Sequence, residues 1–481
     1  MTVFRRPSRA AAAGDAIPFA HGDELHLFYL SSPPGTRDHP ERVRTTWQHA
    51  RAGAGLDDWT ELPPALEPGP PGAVDAGGAW TGSVVEHDGT FHLFYTGHDP
   101  DAANPQTICL ATSTDLVTFT KHPGNPLLLP PAGCEPVDWR DPYVFFHPGE
   151  GRWWMLIAAR LADGPHWRRG CIMLATSADL LTWSVEPEPL YVPGTTYCPE
   201  CPELWELGGR WYLVFSRFSE DAGTVYRVAD DPRGPFRIPA DDELGGRRWY
   251  AARSAPAPGS GGAARAFFGW VHDRVGTDAG PRWLWGGDVA APRLVTADGD
   301  GALRVALAPP VAARFARTTL DATERLDAVG TAVSRLAGGD PLPGACLIRA
   351  TLSFAAGGAA GVLLATGADH AGWYVTADRR RDELTLTREP RPLDDFWADL
   401  TGRPPAYREI DGAVLARARL AAPTAAASVR LDLLLDGDVL EIYADDRVAL
   451  THRIERTGPL LLGAFATDTD ARAVLTVTVA G

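Results

Sequence analysis

Short runs of aromatic and aliphatic residues recur through the first part of the chain, each after a polar turn. They are His26-Leu27-Phe28-Tyr29-Leu30, His92-Leu93-Phe94-Tyr95-Thr96, Trp153-Trp154-Met155-Leu156-Ile157, Trp211-Tyr212-Leu213-Val214-Phe215 and Arg265-Ala266-Phe267-Phe268-Gly269-Trp270. Their starts lie roughly 60 residues apart, a period that marks repeated supersecondary units. The preceding turns are Gly22-Asp23, Asp88-Gly89, Gly149-Glu150-Gly151, Gly208-Gly209 and Gly261-Gly262. Strand, Gly-containing turn and second strand is the hairpin pattern.

A second segment repeats in step. Ala111-Thr112-Ser113-Thr114-Asp115-Leu116-Val117-Thr118-Phe119 matches Ala175-Thr176-Ser177-Ala178-Asp179-Leu180-Leu181-Thr182-Trp183, and Leu56-Asp57-Asp58-Trp59 is a weaker copy. It supplies a third strand, an acidic turn and a fourth strand. Four strands per unit and five units predict a five-bladed β-propeller over residues 1–310. The pattern changes after Pro309-Pro310. From residue 316 to 481, alternating strands such as Val429 to Leu435 lead through Asp436-Gly437 into Val439 to Tyr443, which predicts an antiparallel β-sandwich. The fold class is all-β. The one helix-like stretch, Ala413 to Ala427, is interrupted by Pro423 and reads better as strand and loop.

A ring of blades leaves a central funnel lined by the first strand of each. Asp15, Asp141 and Glu200 lie eleven or twelve residues before their hairpin runs, as do Trp80-Thr81-Gly82-Ser83 and Arg253. A shared offset puts all five positions at one funnel. An Asp before a strand is ordinarily a turn residue, but three acids in successive repeats ask for another reason. Like charges brought together raise the pKa of at least one of them. Glycoside hydrolysis needs that arrangement, with one carboxylic acid protonated and one ionised. A metal cluster is the weaker reading, because no His shares the offset.

Composition narrows the partners. The net charge of −16 repels phosphate backbones and argues against nucleic acid. No stretch reaches the ~18 apolar residues of a membrane span, and the Ala run at 10–13 is shorter than the ~7–15 apolar residues of a secretory signal. A cytoplasmic protein is expected, consistent with six Cys that form no dense disulfide framework. The sixteen Trp residues fit large β cores or sugar-stacking surfaces.

Trp139-Arg140-Asp141-Pro142 and Glu200-Cys201-Pro202-Glu203-Leu204 resemble the Arg-Asp-Pro and Glu-Cys-Pro motifs of glycoside hydrolase family 32, the invertase, inulinase and levanase group. Trp80-Thr81-Gly82-Ser83 resembles its aromatic-Ser-Gly-Ser segment, and Asp58 to Leu66 resembles its Trp-x-x-Leu-Pro-x-Ala-Leu stretch. Pro292-Arg293 and Asp436 to Tyr443 resemble later segments, so the resemblance covers nearly the whole chain. It implies a retaining hydrolase of fructofuranosyl substrates. Asp15 would be the nucleophile, Glu200 the acid/base and Asp141 the transition-state stabiliser, with Arg140 beside it. No metal or organic cofactor is implied. One motif departs: where the family has Trp-x-Asn-Asp-Pro-Asn-Gly, this chain has Gly14-Asp15-Ala16-Ile17-Pro18-Phe19. The altered flanks leave the reaction class intact and open the substrate to fructosides, difructose anhydrides or other furanosides.

Trp80, Trp47, Ser83, Tyr250 and Arg253 join Arg140 as expected substrate contacts. Cys198-Pro199-Glu200-Cys201 lacks the second pair that a zinc site needs and the context of a redox pair; Cys201 is expected to pack beside Glu200 and tune it. His26 and His92 read as packing residues, and His272-Asp273 as a rim loop. The partner is a small carbohydrate, with neither nucleic acid nor membrane, and the sandwich is free to pack on the propeller or on a second subunit. Rival readings are a fructosyltransferase, a five-bladed arabinofuranosidase or phosphorylase, and a non-catalytic sugar-binding protein.

Overall fold

A computed structural model describes residues 4–56, 58–219, 222–276, 282–390, 414–420 and 428–481. Each aromatic run is the second strand of an antiparallel sheet. The first sheet runs Ala13–His21, Glu24–Ser31, Thr46–Ala52, Thr60–Leu66. The second runs Gly78–His87, Thr90–His98, Gln106–Ser113, Thr120–Lys121, and the third Cys134–His147, Arg152–Leu161, Gly170–Ser177, Ser184–Val185. Cys198–Leu207, Arg210–Phe218 and Gly223–Ala229 form the fourth. The fifth pairs Trp249–Pro256, Arg265–Val275, Arg293–Ala297 and Leu303–Leu307. The first strands touch in cyclic order and the fifth returns to the first, so they enclose a common axis.

The repeated acidic turn has a shared mechanism. The Asp115 carboxylate accepts the backbone N–H of Val117 and Thr118, and Asp179 accepts those of Leu181 and Thr182. The next residues, Leu116 and Leu180, take left-handed backbone (φ 59° and 64°), as does Leu56 at 54°. The closing Trp59 and Trp183 each donate their indole N–H to the carbonyl of that Leu. Asp57, within the weaker copy, lies outside the described residues. These are side chain-to-backbone turns, which is why the pattern was visible in sequence.

One strand departs from the plan. Arg282–Val289 pairs with the far half of Arg265–Val275 and, at Ala13↔Gly287, with the first strand of the chain. It joins the fifth sheet to the first as one nine-stranded sheet.

Two six-stranded sheets follow, packed face to face on a core that includes Ile348, Val362, Trp373, Leu433, Ile442 and Leu475. Val414–Arg419, within the stretch read as strand and loop, is an edge strand. The α-helix Pro309–Ala313 sits at the junction. The two parts share a buried interface in which Leu347, Leu434 and Tyr443 pack with Tyr212, Trp249 and Val305. Within it Arg293 and Glu441, both fully buried, form an ion pair at 3.1 Å, and Arg293 also donates to the Thr451 hydroxyl. Burial pushes the Glu441 carboxyl up and Arg293 opposes that shift. Removing one partner of such a pair strands the other charge, at ~3–5 kcal/mol. Arg293→Met and Glu441→Gln are therefore each expected to destabilise the protein by about that amount in chemical denaturation, the second because it leaves the Arg293 guanidinium without its counter-charge.

Candidate active site

The first strands share one irregularity at one level. In the third sheet Arg140 faces Ala158 and Tyr143 faces Leu156, so Asp141 and Pro142 oppose a single residue. The same two-against-one bulge holds Cys201-Pro202 between Glu200 and Glu203, Ala251-Ala252 between Tyr250 and Arg253, and Gly14-Asp15 between Ala13 and Ala16. In the second sheet Thr81 is the extra residue, between Trp80 and Gly82. A bulge bends the strand and re-aims its side chains. Asp141, Cys201 and Ala251 take left-handed backbone here, with φ of 60°, 51° and 49°. Such conformations cost ~1–3 kcal/mol each and persist where the surroundings over-determine them.

The bulges correct the offset argument. By register, Glu200 corresponds to Trp80, Arg140 and Tyr250, the last paired residues before the bulge. Asp141 corresponds to Gly14 and Cys201, and Asp15 to Pro142 and Pro202. The three acids therefore enter from three successive backbone positions. They still meet: Asp15, Asp141 and Glu200 line one cavity of about 530 Å³ with Arg140, Trp80 and Tyr250.

Contacts within the cavity divide the acids. Glu200 accepts from Arg140 Nη2 at 2.9 Å on Oε1 and from the Tyr250 hydroxyl at 2.6 Å on Oε2. Asp141 accepts the backbone N–H of Cys201 at 2.9 Å, and its own N–H donates to Thr96 Oγ1 at 2.8 Å. Asp15 accepts the Trp270 indole N–H at 2.8 Å on Oδ1, with the Cys201 thiol 3.8 Å from Oδ2. Arg140 is held from behind by Asp138 at 2.6 Å and Gln106 at 3.1 Å. Asp138 in turn meets Arg160.

Burial dominates the electrostatics. It pushes the Asp15 carboxyl up to about 7, helped by the charges of Asp141 and Glu200 and opposed by the Trp270 hydrogen bond. Burial also raises Glu200, against the pull of Arg140 and the Tyr250 hydroxyl. The thiol of Cys201 is driven well above its usual range, chiefly by burial and then by Asp141 and Asp15, so it stays a neutral donor.

Other expected contacts sit elsewhere. Trp47 has no exposed surface; its ring packs on Phe28 and its N–H donates to the carbonyl of Trp80, so it supports Trp80 from the core. Arg253 is 1% exposed and donates to the backbone carbonyls of Gly82 and Asp141, beneath the acids. The Ser83 hydroxyl accepts from the N–H of Val144, and with Arg253 and Glu203 it lines a separate cavity of about 180 Å³ further along the same strands. Cys201, next to Glu200 in the chain, places its thiol 3.8 Å from Asp15 and donates its backbone N–H to Asp141. His26 pairs with buried His49 at 2.9 Å, and His92 bonds the Thr90 carbonyl. His272 and Asp273 belong to a strand, not a loop. Burial, then Arg248, holds His272 neutral, down to about 3, and it lines the cavity beside Trp283 and Trp285. Trp270, Gln106, Asp138 and Trp285 were not singled out in the sequence. Trp270 ends the fifth aromatic run, the one available signal for it.

Residues 16–305 match the family model for the Glycosyl hydrolases family 32 N-terminal domain, well over half of the chain. The chain belongs to glycosyl hydrolase family 32. The match begins one residue after Asp15. Among curated relatives, the chain is 32% identical over 213 residues to a sucrose-6-phosphate hydrolase of Escherichia coli, covering 43% of this chain and 41% of that protein. It is 32% identical over 200 residues to a sucrose:sucrose 1-fructosyltransferase of Festuca arundinacea, covering 40% and 29%. The matched stretch thus spans less than half the length of these relatives. Solved structures extend the likeness to the whole fold, a β-propeller followed by a β-sandwich. The exo-inulinase of Aspergillus awamori superposes with a TM-score of 0.74 at 19% identity, over 99% of this chain and 98% of that one. The sucrose-6-phosphate hydrolase of Lactobacillus gasseri gives 0.73 at 22%, over 97% and 91%.

The raised Asp15 carboxyl links stability to pH. Its folded value near 7 lies above the ordinary 3.8, so above ~pH 4 the unfolded chain releases a proton that the folded one keeps. Stability falls as pH rises from about 4 to about 7, by as much as ~4 kcal/mol at 1.36 kcal/mol per unit. Asp15→Asn removes this loss. Its melting temperature should gain on the parent by several degrees more at pH 8 than at pH 5, measured by thermal unfolding at both.

Proposed function

We propose that the protein is a retaining glycosidase of fructofuranosyl-type substrates, built on five blades, one for each bulged first strand. Asp15 is the nucleophile, Glu200 the acid/base, and Asp141 holds sugar hydroxyls at the transition state. The observation that carries the reading is the set of three carboxylates in one cavity, each given a different set of donors. Family membership supports the same reading, and the named relatives include both a hydrolase and a fructosyltransferase.

The chemistry follows from where the protons sit. Glu200, raised by burial, donates its proton to the glycosidic oxygen as that bond breaks. Asp15 attacks the anomeric carbon from the other side and forms a glycosyl ester. Glu200 then takes a proton from water, which cleaves the ester and restores both acids. The pair is self-consistent: a neutral Glu200 no longer repels charge on Asp15, which favours the ionised nucleophile. Cys201 adds geometric support. It follows Glu200 directly and its thiol lies 3.8 Å from Asp15 Oδ2, so one bulge serves both members of the pair. Arg140 orients Glu200 and offsets the charge of the acids around it.

Asp15→Ala and Glu200→Ala should each lower kcat/KM on a β-fructofuranoside by at least ~10³-fold, the scale of losing a member of a covalent catalytic unit. NMR of the first-formed sugar should show retained anomeric configuration; an inverted product would overturn the mechanism. The acid limb of the kcat/KM profile, where Asp15 takes up its proton, should lie above the ordinary carboxylate range, toward about 7. Tyr250→Phe removes a hydrogen bond that favours the ionised Glu200, so its alkaline limb should move to higher pH.

A further inference from the structure

The strand pair that carries Glu200 ends in aromatic residues. Glu200 faces Ser216 and Cys198 faces Phe218, while Tyr197 directly precedes Cys198. Phe218 and Tyr197 thus stand two or three residues beyond Glu200, a strand distance of ~7–10 Å. Phe218 lines the cavity of the three acids yet is 51% exposed, so it stands where that cavity opens. Its ring meets that of Tyr197 nearly at right angles with centroids 5.5 Å apart, and Tyr197 meets the exposed His166 ring at 5.2 Å. Three rings in contact therefore run from the cavity mouth to the open surface.

The row is held from beneath. The Arg160 guanidinium lies 3.7 Å from the centre of the Tyr197 ring. Arg160 is 1% exposed; it donates to the His166 carbonyl at 2.8 Å and pairs with Glu135 at 2.9 Å and Asp138 at 3.2 Å. One buried cation thus sets two of the rings and, through Asp138, braces the Arg140 that binds Glu200. Single exposed apolar side chains are ordinary, but contiguous rings that lead out of a cavity mark a ligand groove. Tyr and His present an apolar body and a polar tip. That mixture suits the C–H faces and hydroxyls of a sugar better than it suits a wholly apolar group.

We propose that Phe218, Tyr197 and His166 form a binding row for the leaving-group sugars of a fructo-oligosaccharide of three or more units. The glycosidic oxygen that takes the Glu200 proton departs with the rest of the saccharide, so the leaving sugars extend past Glu200. The strand pair that carries Glu200 delivers Phe218 and Tyr197 on that path. Phe218 meets the first leaving sugar at the cavity mouth, and Tyr197 and His166 meet those that follow. A disaccharide ends at Phe218 and leaves the outer rings unused. This inference rests on Glu200 acting as the acid/base of a fructofuranosidase.

The test uses Phe218→Ala, Tyr197→Ala and Tyr197→Phe in the full-length protein, assayed on sucrose and on its inulin-type extensions by one and two fructosyl units, 1-kestose and nystose. In the unaltered protein kcat/KM should rise with chain length. Tyr197→Ala should lower kcat/KM on nystose by about tenfold, mainly through KM, and on sucrose by less than about threefold. Tyr197→Phe keeps the ring and should retain most of the chain-length gain. Phe218→Ala should weaken all three substrates. Calorimetric titration in a Glu200→Gln background reads binding without turnover, and there Tyr197→Ala should weaken nystose but not sucrose. Equal losses on all three substrates would mark Tyr197 as a prop for Arg160 and Asp138 and overturn the proposal, as would nystose bound no more tightly than sucrose. Turnover of the fructosides without a gain from chain length overturns this inference alone. Turnover of none of them by the unaltered protein overturns the proposed function and this inference with it.

Discussion

Every sheet of the ring interrupts its ladder at the same level, and the architecture of the candidate site depends on that interruption. A regular strand alternates its side chains between two faces, so neighbouring residues cannot converge on one point. One extra residue per first strand breaks the alternation and lets three consecutive backbone positions supply the acids. The left-handed backbone of Asp141 and Cys201 is the local cost of this geometry. The N–H of Cys201 donates to Asp141, so the distortion of one blade is held by the acid of the blade before it.

Three carboxylates at that level could not share a buried cavity without compensation. Arg140 supplies most of it: it binds Glu200 directly, and its position is set by Asp138 and Gln106 behind it. Asp15 lacks an arginine of its own and has an indole N–H and a thiol instead. This difference separates the two members of the proposed pair. Glu200 is oriented by charged and phenolic donors, whereas Asp15 is the more weakly satisfied acid, pushed far up by burial. In the proposed role as nucleophile, Asp15 would gain reactivity from surroundings that do little to stabilise its charge.

The sandwich is tied to this site through the aromatic wall. Arg453 donates to the His272 carbonyl and pairs with Asp288 on the neighbouring strand, while the His452 ring meets the edge of Trp283. Trp283 also lies under the Arg248 guanidinium, 3.9 Å from its ring centre. Residues of the second half thus brace the strands that carry Trp270, Trp283 and Trp285, and the buried Arg293–Glu441 pair anchors the contact. The cavity belongs to the ring, but one of its walls is held in place from the sandwich.

The chain by itself determined the all-β character, the sheet repeat and the strands on which the acids lie. Hairpin turns, Asp-capped turns and hydrophobic alternation are local, so their residues are adjacent in sequence. Arg140, Glu200 and Cys201 were legible for the same reason, within two short motifs. Only the tertiary structure decided which residue at each bulge faces the cavity, because a bulge shifts register by one and reassigns every side chain near it. Equal offsets therefore grouped Asp15, Asp141 and Glu200 as equivalents when they are not. Trp47 and Arg253 looked like sugar contacts from their strands, yet packing buried one beneath Trp80 and set the other against backbone carbonyls. Trp270 meets Asp15, and Trp285 meets Gly14, across more than 250 residues of chain, and no local pattern records an encounter made by a strand so distant in sequence.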